Sequence, residues 1–279
     1  MSPHPLIRRL LGGFALLIVI SAPAASLAAP KADLWQRWTA HDAASSLRVD
    51  HGPWDTFLMR HVRVSKDRIN RIDYAAALAD DGESLQRYID DLAGTAVSAL
   101  NRGEQQAYWI NLYNALTVRV VLDHYPVASI RDINISPGFF SSGPWGKKLV
   151  TVEGEKISLD DIEHRILRPI WKDARLHYAL NCASLGCPNL QRRAFTPGDM
   201  DALLDQAARD YVNHRRGARI ENGGLYVSSI YEWFKADFGA TDRGVIDHLR
   251  AYAAPDLAAR MKAVSGITDD GYNWKLNGP

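Results

Sequence analysis

Glu104-Gln-Gln-Ala-Tyr-Trp-Ile-Asn-Leu-Tyr-Asn-Ala-Leu-Thr-Val-Arg-Val-Val-Leu-Asp-His-Tyr125 is the stretch that decides the architecture. Its apolar residues, Trp109, Ile110, Leu112, Tyr113, Leu116, Val120 and Val121, cover most of a helix circumference rather than one stripe. A helix apolar nearly all round is a buried one, so other elements must wrap it. Pro126, with no N–H to give and a ring that clashes with the preceding turn, ends it.

Weaker periodic segments flank this axis. Residues 33–47 are expected to be helical, with Leu34, Trp35 and Trp38 as the apolar stripe. A second helix is predicted from Pro53 to about Arg63, and a third from Glu83 to Ala93 with Leu85, Tyr88, Ile89 and Leu92 on one side. Ser136 to Gly146 is a loop rich in turn residues and aromatics. Leu149 to Ile157, turning at Glu153-Gly154, reads as a β-hairpin. Ser158-Leu-Asp-Asp161 resembles a capping box opening a helix to about Leu167, which Pro169 closes. Leu176 to Leu180 reads as a short strand, and Asp199–Asn213 as a helix. A second hairpin turns around Asn222-Gly223-Gly224. Ser229 is expected to cap a helix from Ile230 to Phe238, and another helix runs from Asp242 to Tyr252. The sum is an α+β fold, a mostly helical single domain over 29–279 with a small antiparallel sheet built from hairpins.

The first residues have another character. A basic head with Arg8-Arg9, an apolar run from Leu10 to Ile20 and the small-residue tract Ser26-Leu-Ala28-Ala29 make a secretory signal peptide, 1–28, cut near Ala28. The mature protein is therefore expected to be periplasmic or secreted. Without those residues 31 basic side chains stand against 32 acidic ones, which gives no electrostatic reason for a nucleic-acid partner. No later run approaches a membrane span. The expected partner is an envelope peptide, protein or polymer. Neither a metal nor a cofactor is expected, because two Cys and scattered His make a poor zinc set and no nucleotide-binding loop is present.

Chemistry concentrates in three places. Asn111 and Asn114 share a face of the buried helix. Their amides need partners, either a neighbouring backbone segment or a substrate in a polar pocket. Glu163-His164 lies one turn inside the capped helix, where an acid and an imidazole can relay protons or simply face solvent. His177-Tyr-Ala-Leu-Asn181-Cys182 feeds a loop that ends at Cys187-Pro188. On a regular strand His177 and Asn181 would share a face and Cys182 would point away, leaving His164 as the alternative imidazole partner. In an oxidising compartment Cys182 and Cys187 invite a disulfide, whose small ring would contribute about 2 kcal/mol. A free Cys182 activated by an imidazole would instead be a nucleophile.

Ala107–Thr117, Ser158–Arg168, His177–Pro188, Val227–Phe238 and the ending Tyr272-Asn-Trp-Lys-Leu-Asn277 together resemble the family called domain of unknown function 547, with a core at about 98–215. The resemblance implies an exported bacterial member of a family without an established reaction. The buried helix is also distantly similar to that of papain- or transglutaminase-like folds, in which the helix itself supplies the Cys; here it has none.

Two functions lead among those compatible with these residues; a third, a redox protein using Cys182 and Cys187, is weaker because their spacing lacks the compact Cys-x-x-Cys geometry. Of the two, one is a thiol-dependent hydrolase or acyl transferase acting on a peptide or amide bond. Its candidate catalytic residues are Cys182, His177, His164 and Glu163, with Asn111, Asn114, Asn181 and Trp145 as candidate substrate contacts. The other is a non-catalytic envelope binding module, stabilised by a Cys182–Cys187 disulfide and contacting its partner through Phe139, Phe140 and Trp145.

Overall fold

The computed structural model describes residues 30–138 and 142–279. The expected signal peptide, with its cut near Ala28, and Phe139 and Phe140 fall outside the described residues. Helix α1 (Gly52–His61) leads through the hairpin β1 (Val62–Val64) and β2 (Asn70–Ile72) into α2 (Tyr74–Ala93) and α3 (Arg102–His124). The hairpin β3 (Val150–Val152) and β4 (Glu155–Ile157) precedes α4, a π-helix over Asp161–Leu167 that continues through Arg168–Trp171. Next come α5 (Leu176–Ala179), α6 (Met200–Val212), β5 (Ala218–Glu221), β6 (Gly224–Ser228) and α7 (Ile230–Trp233). The chain finishes with α8 (Asp242–Tyr252), α9 (Pro255–Met261) and β7 (Ile267–Gly271). The fold is mostly helical α+β. Its strands form three small sheets rather than one, and β7 pairs parallel to β6 where only hairpins were expected. Among the described residues no helix is long and apolar enough to cross a membrane.

Helix α3 is the axis. Asn101 caps it by accepting from Glu104 N–H at 3.0 Å, and every side chain from Ala107 to Val118 is buried. Helix α2 packs along it and begins well before Glu83, because Asp73 caps the new start by accepting from Ala76 N–H at 3.1 Å. Two of the polar side chains that α3 buries, both asparagines, are each tied to backbone as donor and acceptor. Asn111 donates to Phe195 O at 2.8 Å and accepts from Phe195 N–H at 3.0 Å. Asn114 donates to Ala179 O at 2.9 Å and accepts from Asn181 N–H at 2.9 Å, which moors the segment before Cys182.

Helix α4 opens with the reciprocal capping box: Ser158 N–H donates to Asp161 Oδ2 at 2.8 Å, and Asp161 N–H donates back to Ser158 Oγ at 3.2 Å. Pro169 does not close it. Proline cannot donate to the carbonyl four residues back and its ring crowds that carbonyl, so the turn widens. The carbonyls this leaves exposed are taken by a strap from the N-terminal side: Asp33 N–H donates to His164 O and Trp35 N–H to Arg165 O, both at 2.9 Å.

That strap explains why 33–47 is not the expected helix and holds only the 3-10 turn Gln36–Thr39; its first N–H groups are spent on α4. The expected strand Leu176 to Leu180 is the helical turn α5. Asp173 starts it by accepting from Arg175 N–H at 2.8 Å and, through its carbonyl, from Leu176 N–H at 3.1 Å. Helix α7 stops at Trp233 rather than Phe238, and Ser229 caps nothing with its hydroxyl.

The apolar interior falls into two clusters. The larger surrounds α1 to α3 and includes Trp54, Trp109 and Tyr113; the smaller joins α6, the β5–β7 sheet, α7 and α8 through Tyr178, Tyr211 and Phe238. The site lies where they meet.

Replacing Asn111 by Ala orphans both backbone groups of Phe195 in this interior. The expected loss is about 2–4 kcal/mol in urea unfolding; a loss under about 0.5 kcal/mol would contradict the clamp.

Candidate active site around Cys182 and His177

A cavity of about 850 Å³ opens between the two clusters, and Cys182, Cys187, Glu163, His164 and His177 all line it. Separated segments supply its groups: Tyr113 from α3, Trp145 and its neighbours from the loop before β3, Asp160 to His164 from the start of α4, His177 to Cys187 from α5 and its loop, and a wall from α7 and the C-terminal tail. The wall is aromatic. Trp233 lies 4.9 Å from Tyr272 and 5.6 Å from Trp274, and Trp145 meets Trp274 edge-on at 5.7 Å. Gly143 lets Trp145 take its place. Its φ is +77°, and a Cβ there would sit 2.0 Å from the indole.

The charged half of the site is a chain of opposite signs. His177 Nε2 meets Asp237 Oδ2 at 2.7 Å, and its Nδ1 faces Glu163 Oε1 at 3.6 Å. A carboxylate facing each nitrogen favours the doubly protonated, positively charged ring. Burial alone would lower its pKa, but Asp237 and Glu163 outweigh burial and raise it. The ring also stacks on Phe234 at 4.1 Å. Burial would likewise raise Glu163, yet the charged His177 and Arg168 beside it hold it below the usual carboxylate range, and Tyr113 donates its hydroxyl to Glu163 Oε2 at 3.2 Å.

Arg168 ties this chain to the second imidazole. Its Nε donates to Asp237 Oδ2 at 2.6 Å and its Nη1 to His164 Nδ1 at 3.0 Å. Guanidinium only donates, so His164 Nδ1 is the acceptor and the ring is neutral with its proton on Nε2. Burial, then Arg168 and His177, lower its pKa against the pull of Glu163. That Nε2 lies 3.7 Å from Asp160 Oδ1. Burial and the nearby Glu163 and Asp161 carboxylates push Asp160 up to about 6, so it keeps a proton at mildly acidic pH. Asp160, Glu163 and His164, spaced i, i+3 and i+4, share one face of this segment and all line the cavity.

The sulfur half stands apart. Cys182 is half-buried, and its Sγ lies 3.0 Å from Cys187 Sγ, 3.0 Å from Tyr272 Oη and 3.4 Å from Ser184 Oγ. Ser184 donates to Tyr272 at 3.0 Å, which leaves the phenol proton for Cys182. The hydrogen bond with Cys187, aided by Ser184 and Tyr272, lowers the Cys182 pKa against burial. Cys187 goes the other way, pushed up by burial and by Cys182, with its sulfur 3.6 Å from Leu180 O. Both are free thiols in this structure.

The tail sets this geometry. Leu185 N–H donates to Lys275 O and Gly186 N–H to Asn273 O, both at 2.8 Å; a Cβ on Gly186 would come within 2.7 Å of Asn273 N. Asn277 is held by Tyr74 at 2.6 Å and reaches Asn181 at 3.3 Å.

The structure thus brings Cys182, His177, His164, Glu163 and Trp145 to one cavity, while Asn111, Asn114 and Asn181 do not line it. Asn181 spends its amide on Pro188 O at 2.7 Å and on Ala183 N–H at 3.0 Å. No hydrogen bond joins Cys182 to an imidazole among the described residues. Sequence reasoning passed over Asp160, Arg168, Asp237 and Tyr272. All four sit inside the segments 158–168, 227–238 and 272–277 that carry the family resemblance, which was the available signal. Among the described residues no group of three or more His, Cys, Asp or Glu side chains is placed to hold a metal ion.

His177 yields a pH test. Its raised pKa makes its charged form a stabilising contribution that is complete below about 6.5 and is lost as pH rises through the folded value. Asp237→Asn removes the carboxylate, so the NMR titration of His177 is expected to move to lower pH and that part of the stability loss to begin at lower pH. An unchanged titration would contradict the assignment.

Neither a curated protein nor a solved structure matches the chain. A family model does, over residues 97–212, a span that holds the α3 to α6 side of the site but not Asp237 or Tyr272. Over residues 97–212 the chain matches the model of the family described as protein of unknown function, DUF547.

Proposed function

We propose that this protein is a thiol-dependent hydrolase or acyl transferase of the cell envelope that acts on a peptide or amide bond, with Cys182 as nucleophile. The observation that carries this reading is the position of Cys182 Sγ: on the cavity lining, with the Tyr272 phenol 3.0 Å away and Cys187 behind it. A hydrogen bond donated by the Tyr272 phenol stabilises a thiolate without an adjacent imidazole.

In the proposed reaction the Cys182 thiolate forms a C–S bond to the acyl carbon, and the C–N bond breaks. The departing amine takes its proton from Asp160. That group is chosen because both nitrogens of His177 face carboxylates, whereas Asp160, pushed up to about 6, holds an exchangeable proton on the cavity lining with the His164 Nε2–H 3.7 Å away to return it. Water then gives its proton to Asp160 and its hydroxyl to the acyl carbon, which releases the acid and restores the thiolate. An acceptor amine or alcohol in place of water makes the same step a transfer. His177 acts as a fixed positive charge beside the reacting centre. The aromatic wall supplies the apolar contact surface usual for ligand cavities.

One observation favours the alternative of a non-catalytic binding module: no imidazole contacts the sulfur. The two readings separate on acylation. Reduced protein given p-nitrophenyl acetate is expected to release p-nitrophenol and to carry an acetyl group on Cys182, seen by peptide mass mapping and absent in Cys182→Ser. Acetylation no faster in the folded protein than in urea would sink the enzyme reading and leave the binding module.

A further inference from the structure

We infer that Cys182 and Cys187 form an exchange-active dithiol, in which Cys182 attacks a small disulfide entering the cavity and Cys187 resolves the adduct. This goes beyond acyl transfer but rests on the same reading of Cys182 as the nucleophile.

The two sulfurs differ in the ways such chemistry requires. Cys182 reaches the cavity surface, where an incoming S–S bond can be approached in line. Cys187 is 4% exposed, and its sulfur is enclosed by Cys182 N–H at 2.9 Å and Leu180 O at 3.6 Å. An external disulfide therefore meets Cys182 first. The resolving thiol is already 3.0 Å from the attacking one, so closure needs little motion. The turn that carries the pair is pinned by Cys187 N–H donating to Ser184 O at 3.1 Å and by the tail pairing at Leu185 and Gly186. The lowered pKa of Cys182 and the raised pKa of Cys187 match this division: one sulfur is ready as thiolate, the other keeps its proton until needed. A cavity of about 850 Å³ is within the size range that encloses a small organic disulfide.

The steps balance. The Cys182 thiolate bonds to one sulfur of R–S–S–R, and R–S⁻ leaves with the electron pair of the broken bond. Cys187 then attacks Cys182 Sγ in the mixed disulfide. Its thiol proton goes to the second R–S⁻, which departs as R–SH. Two electrons pass from the dithiol to the incoming disulfide, and Cys182 and Cys187 end up bridged. Bridging also removes the nucleophile, so oxidation switches acyl transfer off and reduction restores it.

The experiment uses mature protein reduced with dithiothreitol, desalted, mixed with oxidised glutathione, quenched in acid and weighed intact. Wild type is expected to lose two hydrogens and retain little glutathione. Cys187→Ser is expected to accumulate one glutathionyl group, mapped to Cys182, and Cys187→Ala checks that this does not depend on the serine. Cys182→Ser is expected to retain almost none at the same times, with circular dichroism confirming each fold. A wild type that keeps the mixed disulfide without bridging would overturn the inference, as would prompt glutathionylation of Cys187 in Cys182→Ser. If Cys182 is acetylated by p-nitrophenyl acetate but unreactive to glutathione disulfide, exchange fails while the nucleophile stands. If neither reaction occurs, both readings fail.

Discussion

Asp237 Oδ2 accepts from His177 and from Arg168, and that shared oxygen is the point on which the site depends. It joins a residue after α7 to residues of α4 and α5, so three segments distant in sequence meet at one charge. Taking ions out of water is costly, and these are retained because each has a partner: Glu163 and Asp237 for His177, Asp237 for Arg168. Removing one member would leave the others buried and uncompensated. Arg168 also lies over the Phe234 ring at 4.9 Å and donates to Pro30 O at 2.7 Å, so the strap that caps α4 is fastened to the same group.

The cysteine loop is built on a separate principle. It is shaped by backbone pairing with the C-terminal tail, by amide clamps from Asn114, Asn181 and Asn277, and by Arg216, which donates to Leu185 O at 2.9 Å. Tyr272 belongs to that tail and also to the aromatic wall, so one residue connects substrate surface and sulfur. A chemistry that needs a stabilised thiolate and a nearby proton source thus has its two parts on independently braced pieces of one cavity. Rigid support of this kind is what a reactive constellation requires.

How much of this was legible in the sequence follows from the range of the interactions. Helix α3 was readable because its all-round apolar pattern is local, and so were the hairpin at Glu153-Gly154 and the capping box at Ser158. The segment 33–47 was not, because Asp33 and Trp35 satisfy their N–H groups on carbonyls over a hundred residues away, freed in a helix that Pro169 distorts. Leu176 to Leu180 is a short apolar run, for which periodicity does not separate strand from helix. The parallel pairing of β7 left no trace, since Thr268, Asp269 and Asp270 carry no alternation. Glu163, His164, His177 and Cys182 stood out by residue type. The asparagines stood out equally, and their clamping role depended on where Phe195 and Ala179 would lie. Asp160, Arg168 and Asp237 were hidden because ordinary surface ion pairs look the same in one dimension.

The central claim is that the folded chain makes Cys182 a stabilised thiolate at a cavity surface. The most direct measurement is the pH dependence of iodoacetamide alkylation at Cys182 in the reduced protein, followed by peptide mapping and compared with the unfolded chain. The account predicts a midpoint below the ordinary thiol value of about 8.5, with Cys187 reacting slowly throughout. A midpoint at or above that value, or equal reactivity of the two cysteines, would contradict it.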